Sequence, residues 1–162
     1  MNKIILGTSS YKSVDKGNTV SISGDGGERV GYSGQTYKKL APRLSTYIEY
    51  SNNLDELYKL KEDITLYAEF RRKIEDKYIE SYYETRLKDL NVEELLEKLK
   101  SKFGEEIILL CYEELHMFCH RRILADWIEL KSGVVIPEIS VKDGNVKILK
   151  AIDYKDRLKK YL

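Results

Sequence analysis

Two stretches near the middle of the chain carry the residue types that could do chemistry. Cys111-Tyr112-Glu113 closes an apolar run, and Phe118-Cys119-His120-Arg121 opens a helical pattern a few residues later. A cysteine at a helix start feels the positive end of the helix dipole, which lowers its thiol pKa and favours the nucleophilic thiolate. His120 beside it is a proton carrier, and Glu113 can orient that histidine or act as a base. Cys119, Glu113 and His120 are therefore the candidate catalytic residues. A helix start also offers free N–H groups to an anion, and an arginine can pair two phosphate oxygens at once. Arg121, with Cys111 and Tyr112 at the strand end, makes up the candidate ligand-binding set. Each has a plainer alternative. Cys111 can be a small core residue, His120 can bond a backbone carbonyl, and Arg121 can be an anchor closing the junction.

No metal site is assigned from the spacing. Cys111, His116, Cys119 and His120 form a C-x4-H-x2-C-H pattern. That pattern has no C-x2-C knuckle, and adjacent residues 119 and 120 should point apart on a helix. Nor does a C-x5-R oxyanion loop start at either cysteine. The cofactor is left unknown.

These residues need a scaffold that brings a strand end against a helix start. Ile107-Ile108-Leu109-Leu110 is a continuous apolar run, as expected of a buried parallel strand. A helix is expected from Cys119 to about Leu130, with Ile123, Leu124, Trp127 and Ile128 inward. Further strands are read at Lys3–Leu6, Val20–Ser23 and Val134–Ile136. Lys142-Asp143-Gly144-Asn145 separates two alternating runs and reads as a hairpin turn. Leu44, Tyr47 and Ile48 share a helical face, and Leu54–Leu60 suits a separate short helix. Apolar residues at Tyr67, Phe70, Ile74, Tyr78 and Tyr82 mark a long amphipathic helix over 64–87. Asn91, with Glu94 three residues on, caps the next helix, which Gly104 ends. The tail over 154–162 reads as a short helix. The sum is one α/β domain over 1–162: a Rossmann-like, mostly parallel sheet flanked by helices, with a C-terminal β-hairpin. Ligands in such sheets sit beyond the carboxyl ends of the strands, and Cys111 lies at one of those ends.

Composition narrows the function classes. The 162 residues suffice for one buried core, and hydrophobic (42%) and charged (34%) fractions are those of a globular domain. Lys plus Arg (28) nearly balances Asp plus Glu (27), for a net charge of +1. Nucleic acid is thus a possible partner that charge does not favour. Thirteen tyrosines against three phenylalanines suggest rings half-buried at element edges. Six of the ten glycines fall between Gly17 and Gly34, so about 24–34 reads as a long glycine-rich loop. No apolar run reaches the length of a membrane span, and Met1-Asn2-Lys3 leads into too short an apolar run for a secretion signal. A cytoplasmic chain with reduced thiols is expected, and no membrane partner.

Leu109-Leu110-Cys111-Tyr112-Glu113, Phe118-Cys119-His120-Arg121 and Ala125-Asp126-Trp127 together resemble the signature of the domain-of-unknown-function 488 family. The resemblance extends to Tyr37–Pro42, to Tyr78, Tyr82 and Tyr83, and from Leu87 to Leu99, ending near Glu138. This chain has Leu115-His116-Met117 where many relatives carry a proline or glycine. The family implies an α/β sheet, no established activity, a Cys/Cys-His-Arg cluster as active or binding site, and a suspected link to nucleotide or nucleic-acid metabolism. The expected function is binding of a phosphorylated or nucleotide-like anionic small molecule at Cys119-His120-Arg121, with chemistry on it left open. The alternatives are a non-catalytic interaction or ligand-sequestering protein, and a nucleic-acid-associated protein.

Overall fold

A computed structural model describes residues 3–162; Met1 and Asn2, part of the leader reading, lie outside it. Six strands form one sheet in the order β3-β2-β4-β1-β5-β6. They are β1 (Ile5–Ser10), β2 (Asn18–Ser21), β3 (Gln35–Thr36), β4 (Ile107–Cys111), β5 (Glu138–Lys142) and β6 (Asn145–Leu149). All neighbours run parallel except β5 and β6, which form the expected C-terminal antiparallel pair. The helices are α1 (Leu44–Tyr58), α2 (Ile64–Tyr82, continued by a π-helical turn over Tyr83–Leu87), α3 (Val92–Phe103), α4 (His120–Ser132) and α5 (Lys155–Leu158). The α/β class and the mostly parallel sheet flanked by helices are as expected. Among the described residues no helix is long and apolar enough to cross a membrane.

Strand periodicity sorts the two faces of β4. Ile107 and Leu109 join the main core with Tyr78, Tyr82, Leu95, Leu99, Ile123 and Trp127 from the helices. Ile108 and Leu110 face the other way, into a smaller cluster with Ile139 and Val141, covered by Tyr11, Val14 and Tyr32. The helices thus contribute to the main core, while loops close the second face. Gly17 shows how tightly they do so, since a Cβ there would come within 2.8 Å of Ile108 Cδ1. The glycine-rich stretch is pinned rather than loose. Gly27 sits at φ +86, where a Cβ would strike Tyr11 and Tyr32, and its N–H donates to Asp25 Oδ1 at 2.9 Å.

Two readings change. Val134–Ile136 is not a strand: Val135 is exposed, and pairing with β1 begins only when Thr8 N–H reaches Pro137 O and Thr8 registers with Glu138. The two short helices near Leu44 and Leu54 are one, α1. Its Leu44, Tyr47 and Ile48 point outward, because it packs on α2 with Thr46 and Leu57 buried and Thr46 Oγ1 2.5 Å from Ser81 Oγ. By contrast, α3 starts as read, with Asn91 Oδ1 accepting from Glu94 N–H at 3.0 Å. Asn91→Ala should cost about 1 kcal/mol in urea unfolding; no measurable loss would mean that the cap adds nothing.

Candidate functional site

The last residue of β4 and the first of α4 meet at one point. Cys111 ends β4 on the helix side of the sheet and is fully buried. The chain then leaves the sheet, turns through His116 in the left-handed region (φ 77), and returns with Phe118, whose ring packs on Tyr50, Tyr78 and Tyr154. That anchor sets down Cys119 as the N-cap of α4, in extended backbone at φ −157, ψ 144.

The cap geometry changes the metal reading. Because Cys119 is not itself helical, its side chain need not diverge from that of His120. Its sulfur lies 3.8 Å from His120 Nδ1. The Cys111 and Cys119 sulfurs are in contact, while their Cα atoms stand 7.9 Å apart. That Cα spacing exceeds the span of an ordinary disulfide. Glu113 Oε2 completes the group, 3.4 Å from the Cys111 sulfur and 3.1 Å from that of Cys119. One donor atom from each of Cys111, Glu113, Cys119 and His120 lies within 4.8 Å of every other. His116, counted in the sequence pattern, is exposed and outside this cluster.

The surroundings fix the donors. His120 Nε2 bonds to the Ile22 carbonyl at 2.7 Å, and since a carbonyl only accepts, that nitrogen carries the proton and Nδ1 presents its lone pair to the sulfurs. Burial pushes the imidazole pKa down to about 4, so it is neutral near pH 7. Burial likewise raises the Glu113 carboxyl, against the opposing fields of Arg121 and Arg29. Glu113 therefore meets the thiols rather than orienting His120.

Arg121 is the clamp of the junction. Its Nε and Nη2 donate to the two oxygens of Glu138 at 2.9 and 3.0 Å. Nη1 donates to Glu113 O at 2.8 Å and to Cys111 Sγ at 3.0 Å, and Nη2 also to Glu114 O at 3.2 Å. The guanidinium is wholly buried, so its donors are turned into the protein. Arg122 is buried too, donating to Thr8 Oγ1 and Ile136 O at 2.8 Å each. Tyr112 points away from the sulfurs. Its hydroxyl donates to Asp25 and accepts from the Arg29 N–H at 3.1 Å, and the Arg29 guanidinium lies 4.4 Å above its ring. Tyr112 thereby ties the glycine-rich loop to the end of β4.

The residues missed in the sequence lie far off along the chain. Glu138, the Ile22 carbonyl and Tyr154 reach the site through the sheet and the α4–α5 packing, and no local spacing announces them. Among the described residues the Tyr154 hydroxyl is buried without a well-formed hydrogen bond, and the Cys119 amide faces it. A hydroxyl in that position could serve a group bound at the start of α4.

The sequence matches the profile of a family described as domain of unknown function DUF488 over residues 37–128. No curated protein and no solved structure matches the chain. The matched span is more than half of the chain and holds Cys111, Glu113, Cys119, His120 and Arg121, while β1, β2 and Glu138 lie outside it. The chain belongs to the DUF488 family of domains of unknown function.

Proposed function

We propose that this is a metal-binding protein whose centre is Cys111 Sγ, Cys119 Sγ, His120 Nδ1 and a Glu113 carboxylate oxygen, with zinc or iron(II) as the ion. The convergence of these four donors within 4.8 Å carries the reading. A tetrahedral ion with bonds of about 2.0–2.3 Å spaces its ligands roughly 3.3–3.8 Å apart, so the two touching sulfurs would part to admit it, while Glu113 Oε2 and His120 Nδ1 already stand near that spacing from the Cys119 sulfur. Thiolates and imidazole together suit a borderline-soft ion and disfavour magnesium or calcium. Two further features support it. The second nitrogen of His120 is tied to a carbonyl, the usual way to orient a ligating imidazole, and Arg121 lends positive charge to both thiolates. The centre needs reduced cysteines, which fits a reducing, cytoplasmic setting.

The test is metal analysis of the full chain prepared under reducing conditions. About one equivalent of zinc or iron per chain is expected, and stripping it with a chelator should lower Tm. An ion held at a hundredfold excess over its Kd would add about 2.7 kcal/mol to stability. A metal-free chain that neither binds added zinc nor gains Tm from it would overturn the reading, as would a Cys111–Cys119 disulfide that survives reduction.

A phosphorylated or nucleotide-like ligand is the second reading, and Arg29 favours it. Its side chain is 69% exposed, and its field reaches Glu113. An anion would be met there rather than at the enclosed Arg121. Thermal shift with nucleotides and inorganic phosphate, lost in Arg29→Ala, would support this; no shift with any of them would remove it.

A further inference from the structure

The four donors are not equivalent. Cys111, Cys119 and His120 are 0%, 2% and 4% exposed. They sit on the end of β4 and the first turn of α4, and each is braced. Arg121 holds both sulfurs, at 3.0 and 3.5 Å, and Ile22 holds the imidazole. Glu113 differs on every count. It follows β4 in the turn that leads to His116, and it is only half-buried. Arg121 fixes its backbone carbonyl at 2.8 Å, yet the hydrogen bonds of its carboxylate to side chains among the described residues run only to the two sulfurs. Its backbone is fastened by another residue, while its carboxylate is held only by the two sulfurs and its own backbone N–H among the described residues.

Closed structural sites hold four protein ligands of similar rigidity, whereas reactive ones keep three and leave a fourth position exchangeable. We infer that Glu113 is the exchangeable ligand of this centre, giving way to a solvent-borne water or small anion while Cys111, Cys119 and His120 keep the ion. The inference rests on the metal reading above. It assigns the protein a reactive centre rather than a structural staple. With Glu113 swung aside, its carboxylate would stand beside the opened position, placed to accept a proton from a water entering there, and the ion would supply Lewis acidity. Arg29, exposed and with a field that reaches Glu113, favours anionic entrants.

The experiment loads the full chain with cobalt(II) and follows its visible spectrum during titration with thiocyanate. Wild type, Glu113→Ala and Glu113→Gln are compared with Cys119→Ser. Both Glu113 variants are expected to retain cobalt within about tenfold of wild-type affinity, a loss no greater than that for an outer-shell change. Their spectra should respond to thiocyanate at lower concentration than that of wild type. Loss of cobalt from the Glu113 variants as complete as from Cys119→Ser would overturn the inference while leaving the metal centre standing. So would spectra inert to thiocyanate in wild type and both Glu113 variants. Failure of wild type to bind cobalt or zinc at all would instead remove the centre itself.

Discussion

Glu138→Ala is expected to lower the unfolding free energy by about 3–5 kcal/mol. Arg121 is wholly buried and Glu138 is 2% exposed, and their two hydrogen bonds are 2.9 and 3.0 Å. Removing the carboxylate leaves a guanidinium in the core without its bidentate counter-ion, and Thr8 Oγ1 loses its acceptor as well. The size follows from the uncompensated charge, not from the net worth of the pair. Against a total of about 5–15 kcal/mol for a typical domain, such a loss approaches unfolding at ambient temperature. Urea unfolding measures it. The double change Glu138→Leu with Arg121→Met should recover part of the loss, because it removes both charges together. A cost below about 1 kcal/mol for Glu138→Ala would mean that water reaches the pair and that Arg121 is no clamp.

Cys111→Ser and Cys119→Ser are each expected to weaken zinc binding by more than about a hundredfold, beyond the range seen for outer-shell partners. Serine keeps the size of the side chain and replaces a soft thiolate with a poor ligand. The two variants should behave alike, since each supplies one sulfur to the same point. His116→Ala should leave affinity unchanged, because His116 lies outside the cluster. Isothermal titration with a competing chelator reads all three. Equal affinity in wild type and both serine variants would place any bound zinc elsewhere, and a loss in His116→Ala would restore the donor set suggested by sequence spacing.

That contrast between His116 and Glu113 shows what was legible in the sequence. Local signals were read well. The apolar run at Ile107, the Asn91 cap, the hairpin turn at Lys142–Asn145 and the α4 start at Cys119 each depend on a few neighbouring residues. Their physics is visible in one window. The donor set depended on a backbone angle. The expectation that side chains at Cys119 and His120 diverge treats both as helical, and the extended N-cap at Cys119 breaks that premise. At α1 periodicity marks a shared face but not its side: Leu44, Tyr47 and Ile48 form a regular stripe that faces outward. The helix is held instead by Thr46, Leu57 and the half-buried Tyr50, whose ring meets Tyr78 at 5.0 Å. Glu138 was out of reach for another reason: an acidic residue at the head of a strand is recognisable as a buried counter-ion only once the strand beside it is known.

The strand order carries a consequence for how the chain assembles. β1 and β2 are joined by only Tyr11–Gly17, yet they do not pair; β4 lies between them. The slot is filled by a segment roughly a hundred residues downstream, registering Thr8 with Leu109 on one side and Val20 on the other. In the folded sheet the two early strands are about 10 Å apart, and without β4 their facing edges have no partner. Closing so long a loop is slow, and open edges are the places where chains associate wrongly. Cys111 rides on the arriving strand, and Cys119 follows eight residues behind it. The donor cluster therefore comes together in the same event that seals the sheet, and an ion present at that moment would reward the correct insertion over every misregistered one.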